Sequence, residues 1–435
     1  MKTVYRLFAF VMVVSMLLAA CAPAATSTSA PAAEGQSSQP SGDKVTLNLW
    51  IFEGEEGFLP KLKEGFEAKY PNITLEITEI PESDYVTKID TALAAGSTPD
   101  IAYIYEPRWM KAGKFLSIDE VISKYNIQLA DFNQGIVKDT CAMNGKLYCL
   151  GTYTGAVLLF YNKDMFDAAG LPYPSATVPM SIDEYEALAA KLTKPNEDIA
   201  KRVYGGSSGS SMGRMERATR FSSDGRKIEG FLNDDATVHS YEVLADMVKQ
   251  GYSPSSADST LLGDMDLLGT KQQAMEIIDN IVAIPVLEEA GIRWGAAPVP
   301  VEKKGDQAYV AVWTDSMGVF TQSKYPQEAL EFVAYMATEG NKLRVEFGSY
   351  PLNNKVAAEA NWAGESEGRK EAMQAIALAH ETVFVPGFWD ATGGEWDAFN
   401  YMVEGTKSPR EALDEAAVLG QEQLDKAWET WDAIK

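Results

Sequence analysis

The chain has 435 residues, 62 of them acidic and 38 basic, for a formal charge of -24. That balance argues against a nucleic-acid-binding surface, and an apolar content of 46% excludes a disordered chain. No phosphate-cradling or dinucleotide fingerprint is present, and the two histidines, His239 and His380, lie far apart, so neither a metal nor a cofactor is expected. A chain of this length exceeds one compact core, which makes two domains the prior.

Lys2 and Arg6 precede an apolar run from Leu7 to Ala20, the charged and apolar regions of a secretory signal. The run is too short for a membrane-spanning helix. It ends Leu18-Ala19-Ala20-Cys21, which resembles the lipobox of a bacterial lipoprotein. The resemblance implies cleavage before Cys21 and lipid on its sulfur, with palmitate among the acyl chains; an ordinary signal peptide with a chance cysteine is the alternative. Losing residues 1–20 takes the charge from -24 to -26. Residues 21–43, rich in Ala, Pro, Ser and Thr, cannot bury enough surface to fold and read as a flexible tether.

The globular part opens with an alternating strand, Val45 to Ile51, then a loop holding Glu53 and Glu55 and a helix from Phe58 to Tyr70. Asn72 to Ile77 is a second strand, Ser83 to Ala95 a second helix and Ile101 to Tyr105 a third strand, a βαβαβ unit with a mostly parallel sheet. Ligands of such sheets bind beyond the carboxyl ends of the strands. That rule points to the loop after Trp50 and to Glu106-Pro107-Arg108-Trp109.

Cys141 and Cys149 flank Asn144-Gly145, and a three-residue loop of Asn144, Gly145 and Lys146 places them opposite each other. In an exported chain they read as a cross-strand disulfide, against the alternative of two buried thiols. Ala156 to Tyr161 is an unbroken apolar run, expected of a strand covered on both faces. The polar loop before it, Gly151 to Gly155, is expected to cross between two lobes beside a ligand cleft. Asn233-Asp234-Asp235 caps a helix to about Gln250, and Lys271 to Asn280 leads into a strand. Closing helices run from Glu395 to Glu404 and from Pro409 to Ile434.

The ordered motifs LNLW, FEAKYPNITLEI, YVTKIDTALAAGSTPDIAYI, NGKLY and LLFYNKDMFDAAGL resemble the extracellular solute-binding proteins of ABC importers, family 1, most of all the maltodextrin-binding-like branch. Similarity continues through Gln273-Ala274-Met275, Trp294 to Pro300 and Ser323 to Met336. It implies an α/β, two-lobed periplasmic-binding-protein-like fold of type II. Each lobe is expected to be a mostly parallel sheet flanked by helices, with a three-segment hinge. The expected N-lobe is 45–153 plus 312–358 and the C-lobe 154–311 plus 359–435, with crossings near 151–156, 308–314 and 356–364. Two departures stand out: Cys149 and Gly151 where the family often has Gly and Pro, and Met180 where it often has Thr.

A sugar offers apolar ring faces and hydroxyl edges, so its site pairs flat aromatic rings with planar hydrogen-bonding groups. Trp50, Trp109, Trp313 and Trp389 fall at strand ends or in loops expected to face the cleft, with core packing as the alternative. Trp294 is expected to be buried, and Trp396, Trp428 and Trp431, at helical spacing, to be core. The polar candidates are Glu53, Glu55, Glu106, Arg108, Tyr153, Asp279 and Asp315, each weighed against a solvated surface role. Arg214, Arg217 and Arg220 recur at three-residue spacing and form either a solvated helix face or a seat for an anionic ligand.

The reading these expectations support is a lipid-anchored, extracytoplasmic, monomeric receptor without catalytic residues. It closes two lobes on a mono- or oligosaccharide and delivers it to the transmembrane subunits of an ABC permease. The alternatives are a binding protein for an anionic metabolite, peptide or polyamine, and a surface glycoside hydrolase with paired carboxylates.

Overall fold

The computed structural model describes residues 44–54, 57–208, 220–263, 267–308, 310–379 and 383–434. The expected signal, Cys21 and the tether lie outside the described residues, as do Glu55, Arg214 and Arg217. Lys44–Lys435 is one compact unit.

The expected βαβαβ unit is present. Strand β1 (Val45–Phe52) pairs parallel with β2 (Ile73–Ile80) from Val45↔Ile73 to Phe52↔Ile80, and parallel with β3 (Ile101–Tyr103) through Leu49↔Ile101. Helices α1 (Phe58–Lys69) and α2 (Glu82–Ala95) link them. In β1, Leu47, Leu49 and Ile51 are buried while Thr46 and Asn48 are exposed, so alternation sends one apolar set to the core. Phe66 of α1, Tyr85 and Ile89 of α2, and Phe320 and Phe332 complete it. Burying one such side chain stabilises the fold by about 2 kcal/mol.

Helix α3 (Pro107–Lys111) follows β3, and then a short hairpin forms from β4 (Ala142–Met143) and β5 (Lys146–Leu147). Asn144 and Gly145 both have positive φ, 52° and 74°, the backbone of a two-residue hairpin turn. The loop is therefore one residue shorter than the sequence suggests, and Lys146 pairs with Met143. The Cys141–Cys149 disulfide forms nonetheless, with Cα atoms 5.0 Å apart and both residues buried. Cys141 ends a π-helical turn (Val137–Cys141), so strand alternation does not govern its direction.

All eight residues of β6 (Gly155–Asn162) are buried. Val157, Leu159 and Tyr161 join a core with Tyr241, Phe399 and Leu424, while Ala156, Leu158 and Phe160 join another with Trp294, Trp362 and Ile376. The sheet here corrects the parallel expectation. β7 (Met275–Asp279), β8 (Trp294–Ala297) and β9 (Val312–Trp313) all pair antiparallel to β6. Its first residue, Gly155, comes straight from the loop after the first core, so β6 runs outward while its neighbours run back towards that loop. The same logic orients β10 (Met317–Val319), which enters the first sheet just after β9 and pairs antiparallel with β3, giving the order β2-β1-β3-β10. Past the helix Asn341–Glu346, Leu352 packs in the first core, whereas Tyr350, Ala357 and Trp362 pack in the core beneath Phe160.

Candidate functional site

Residues 151–156 are held from both sides by buried side chains. From the first core, Asn341 Nδ2 donates to the Gly151 carbonyl at 3.1 Å and Arg344 Nε to Thr152 Oγ1 at 2.9 Å. Asn280, at the carboxyl end of β7, accepts from the Ala156 amide at 2.8 Å and donates to the Thr154 carbonyl at 3.1 Å. Asn341 also accepts from the Asn353 amide at 2.9 Å, so one side chain ties two segments that pass between the cores. Neither asparagine announces itself in sequence, because each lies within an ordinary helical stretch.

Between these clamps the Tyr153 hydroxyl donates to Asp315 Oδ2 at 2.6 Å, and the Arg344 guanidinium lies 4.7 Å from the Tyr153 ring. The segment carrying Asp315 also packs its neighbours onto glycines. A Cβ on Gly151 would stand 1.9 Å from Thr314 Oγ1, and one on Gly155 would stand 2.4 Å from the Trp313 ring. Trp313 lies opposite Gly155 in register, and Asp279, the last residue of β7, lies opposite Val157. Tyr153, Asp279, Trp313 and Asp315 are thus brought to one place, at the root of β6.

A cluster of aromatic rings in the first core lies within electrostatic reach of Asp315, which acts on Tyr85 and Tyr105. Phe52 meets Tyr85, Tyr103 and Tyr105 at ring distances of 4.4, 5.1 and 5.2 Å. Burial, aided by Glu82 and more weakly by Glu106 and Asp315, pushes the Tyr105 hydroxyl up to about 12, so it stays a proton donor. Tyr105 directly precedes Glu106 at the end of a buried strand, and the strand-end rule could have singled it out.

Glu106 is half-buried at the start of α3. Burial raises its pKa, Arg108 opposes that, and Asp90 and Asp390 add to it. Asp390 belongs to the helix Phe388–Thr392, packed on the opposite core, so the two halves come within electrostatic reach here. Its neighbour Trp389 is 59% exposed and edge-on to Phe388.

Other candidates stand elsewhere. Trp109 is 2% exposed in the first core, with Nε1 donating to Asp90 Oδ1 at 2.9 Å. Arg108 grips the same carboxylate through two hydrogen bonds, of 3.1 and 2.7 Å, and bridges to Glu106 at 3.5 Å. Both tie α3 to α2, because a buried indole and a half-buried guanidinium need polar partners. Trp50 sits under Lys88 of α2, whose ammonium is 5.1 Å from the ring, on the helix-covered side of the sheet. Glu53 is exposed at the end of β1. Among the remaining tryptophans, Trp294 is buried, Trp428 and Trp431 are half-buried, and Trp396 is 51% exposed rather than core.

Of the basic triplet, Arg220 is the described member. Arg220 is buried and pairs with Glu395, which also accepts from the Tyr241 hydroxyl. This arginine is a structural cation, taken out of any role on a free ligand. A surface groove of about 310 Å³ lined by Thr177–Pro179, Gly305–Ala308 and Leu378 includes none of the predicted site residues. Among the described residues no cluster of metal-ligating side chains occurs, and no helix is long and apolar enough to cross a membrane.

Residues 53–343 match the family profile described as bacterial extracellular solute-binding protein. The chain is 26% identical to the arabinooligosaccharide-binding protein of Bacillus subtilis, over 71% of this chain and 72% of the relative. It is 22% identical to the galactooligosaccharide-binding protein of the same organism, over 94% of this chain and 95% of that one. Among solved structures it resembles an ABC substrate-binding protein from Listeria monocytogenes in complex with cycloalternan, with a TM-score of 0.74, 22% identity and coverage of 88% of this chain and 100% of that chain. It also resembles the sugar-binding protein MalE from Xanthomonas citri, with a TM-score of 0.71 at 18% identity, covering 89% and 99% of the two chains. These likenesses establish the two-lobed fold.

Proposed function

Because the chain belongs to the bacterial extracellular solute-binding protein family, we propose that it captures a carbohydrate between its two lobes and delivers it to an ABC permease. The observation that carries this reading is the Tyr153–Asp315 pair at the root of β6, flanked by Trp313 and approached past Tyr105 and Phe52. Such a site offers stacking faces and carboxylate acceptors for hydroxyl groups. The oligosaccharide-binding names of the relatives agree with it. In this reading Asp279, Glu106 and Trp389 line the same cleft, and capture proceeds by hinge rotation without a catalytic step.

The proposed lobes are about 45–153 plus 312–353 and 154–311 plus 354–435. In this reading the third passage lies at about 349–353, earlier in the chain than the 356–364 the sequence suggests; the packing of Leu352 in the first core and of Tyr350, Ala357 and Trp362 in the other supports it. Residues 1–20 act as the signal, and lipid on Cys21 holds a monomer at the extracytoplasmic face of the cell membrane through the 21–43 tether.

A second reading has support of its own. Asp390 acts electrostatically on Glu106 from the other lobe, and Asp279 and Asp315 stand at the root of β6, a carboxylate-rich setting that also suits a cationic solute such as a polyamine. A thermal-shift screen of the chain against mono- and oligosaccharides, uronates, peptides and polyamines separates the two. Stabilisation by a neutral sugar supports the first reading; stabilisation by a polyamine or peptide alone removes it. Release of sugar products in the same mixtures would instead indicate a hydrolase.

A further inference from the structure

Well away from the crossings, the lobes touch again. Lys111, the last residue of α3, reaches from the first lobe to the final turn of the helix Pro409–Ala433, which packs through Leu413 and Leu424 on the other lobe. Its ammonium hydrogen-bonds the Trp431 carbonyl and lies 4.5 Å from the Trp431 ring centroid. The carbonyl belongs to the last turn of the helix, where the peptide dipoles favour a cation. The indole face adds a second attraction for the same ammonium. The Phe384 ring packs against the same indole, with centroids 4.5 Å apart.

We propose that Lys111 and the carboxyl end of the last helix form a latch that holds the cleft closed and sets the balance between closed and open lobes. Both partners are groups of the chain itself, so the contact requires no solute. Glu106 acts against it: the Asp390 carboxylate on the opposite lobe disfavours the Glu106 charge, so the pair favours opening. The other charges facing Glu106 are Arg108 and Asp90, both on its own lobe. A receptor balanced this way has an apparent affinity scaled by the fraction of molecules in the binding-competent arrangement. The latch rests on the two-lobed fold and is independent of which solute is bound.

Hydroxyl-radical footprinting of the full-length chain in detergent, with no solute added, tests the latch by comparing wild type, Lys111→Met and Lys111→Arg. Lys111→Met is expected to raise oxidation of Trp313 about three-fold or more, and that of Tyr105, already 36% exposed, by a smaller factor, as a cation–π contact and a charge-assisted hydrogen bond together shift the balance about ten-fold. Lys111→Arg, which keeps the cation, should stay close to wild type. Trp109, buried inside the first core, reports unfolding and should stay protected throughout. Equal oxidation of Tyr105 and Trp313 in wild type and Lys111→Met overturns the latch, as does a rise that Trp109 shares.

Discussion

The Tyr153 hydroxyl and the Asp315 carboxylate meet at 2.6 Å and join two chain segments that pass between the same two cores. Asn341 and Asn280 pin the peptide on either side of Tyr153, one from each core. In the proposed mechanism, hinge motion of the lobes is concentrated at the residues that also form the candidate site. Tyr153→Phe deletes the donor and leaves the carboxylate short of one partner, a loss of about 1.5–3 kcal/mol where the acceptor is charged. Chemical denaturation should show that loss, and calorimetric titration should show about ten-fold weaker binding of whichever solute the thermal screen identifies. Unchanged affinity would remove Tyr153 from the site.

Gly151→Ala should destabilise the protein by about 1–3 kcal/mol, the usual cost of overpacking. Its Cβ would stand 1.9 Å from Thr314 Oγ1 and 2.7 Å from Thr314 Cγ2. Thr314→Ala removes both atoms, so the double variant should recover part of the loss in the same denaturation experiment. Simple additivity of the two substitutions would contradict the close approach of the crossings.

The Cys141–Cys149 bridge closes a short loop, with a sequence separation of 8, which corresponds to about 2.5 kcal/mol by loop-closure entropy. Replacing both cysteines with serine should lower stability by that order. Cys141 Sγ also lies 3.2 Å from Ser316 Oγ, next to Asp315, so the change should weaken solute binding as well as lower the melting temperature. Both sulfurs are buried, and the native protein should resist thiol alkylation until reductant and denaturant are combined.

Glu106 gives a pH signature. Its pKa is raised above the ordinary 4.5 by burial, so the folded state holds the proton more tightly than the unfolded chain does. The cost of its charge is absent below the unfolded value, grows as pH rises past it, and is complete above the folded value. Glu106→Gln should therefore match wild type in thermal stability near pH 4, about the unperturbed carboxylate range, and exceed it increasingly towards pH 7. A difference that does not vary with pH would show that burial of this charge is not what governs it.

Local order was legible because it depends on near neighbours. The alternation in β1, the apolar run of β6, the glycine stops and the cysteines either side of Asn144-Gly145 are each set by residues within a few positions. The strand-end rule pointed to the loop after Trp50 and to Glu106–Trp109, where Arg108 and Trp109 bind Asp90 instead; Tyr153, Asp279, Trp313 and Asp315, picked for their chemistry and place in the chain, lie at the root of β6.

Sequence alone determined that this is an α/β chain with a βαβαβ start and a buried strand behind a polar crossing loop, since periodicity and turn chemistry act over short distances. Tertiary structure decided what distant residues do. Trp109 and Arg108 serve Asp90, Arg220 serves Glu395, and Trp396 stays exposed, because each outcome depends on what another element brings alongside. It also decided strand direction around β6, since β7, β8 and β9, all remote in the chain, run antiparallel to it. Asn341, Asn280 and Lys111 gain their roles only from partners remote in the chain, which no local pattern encodes.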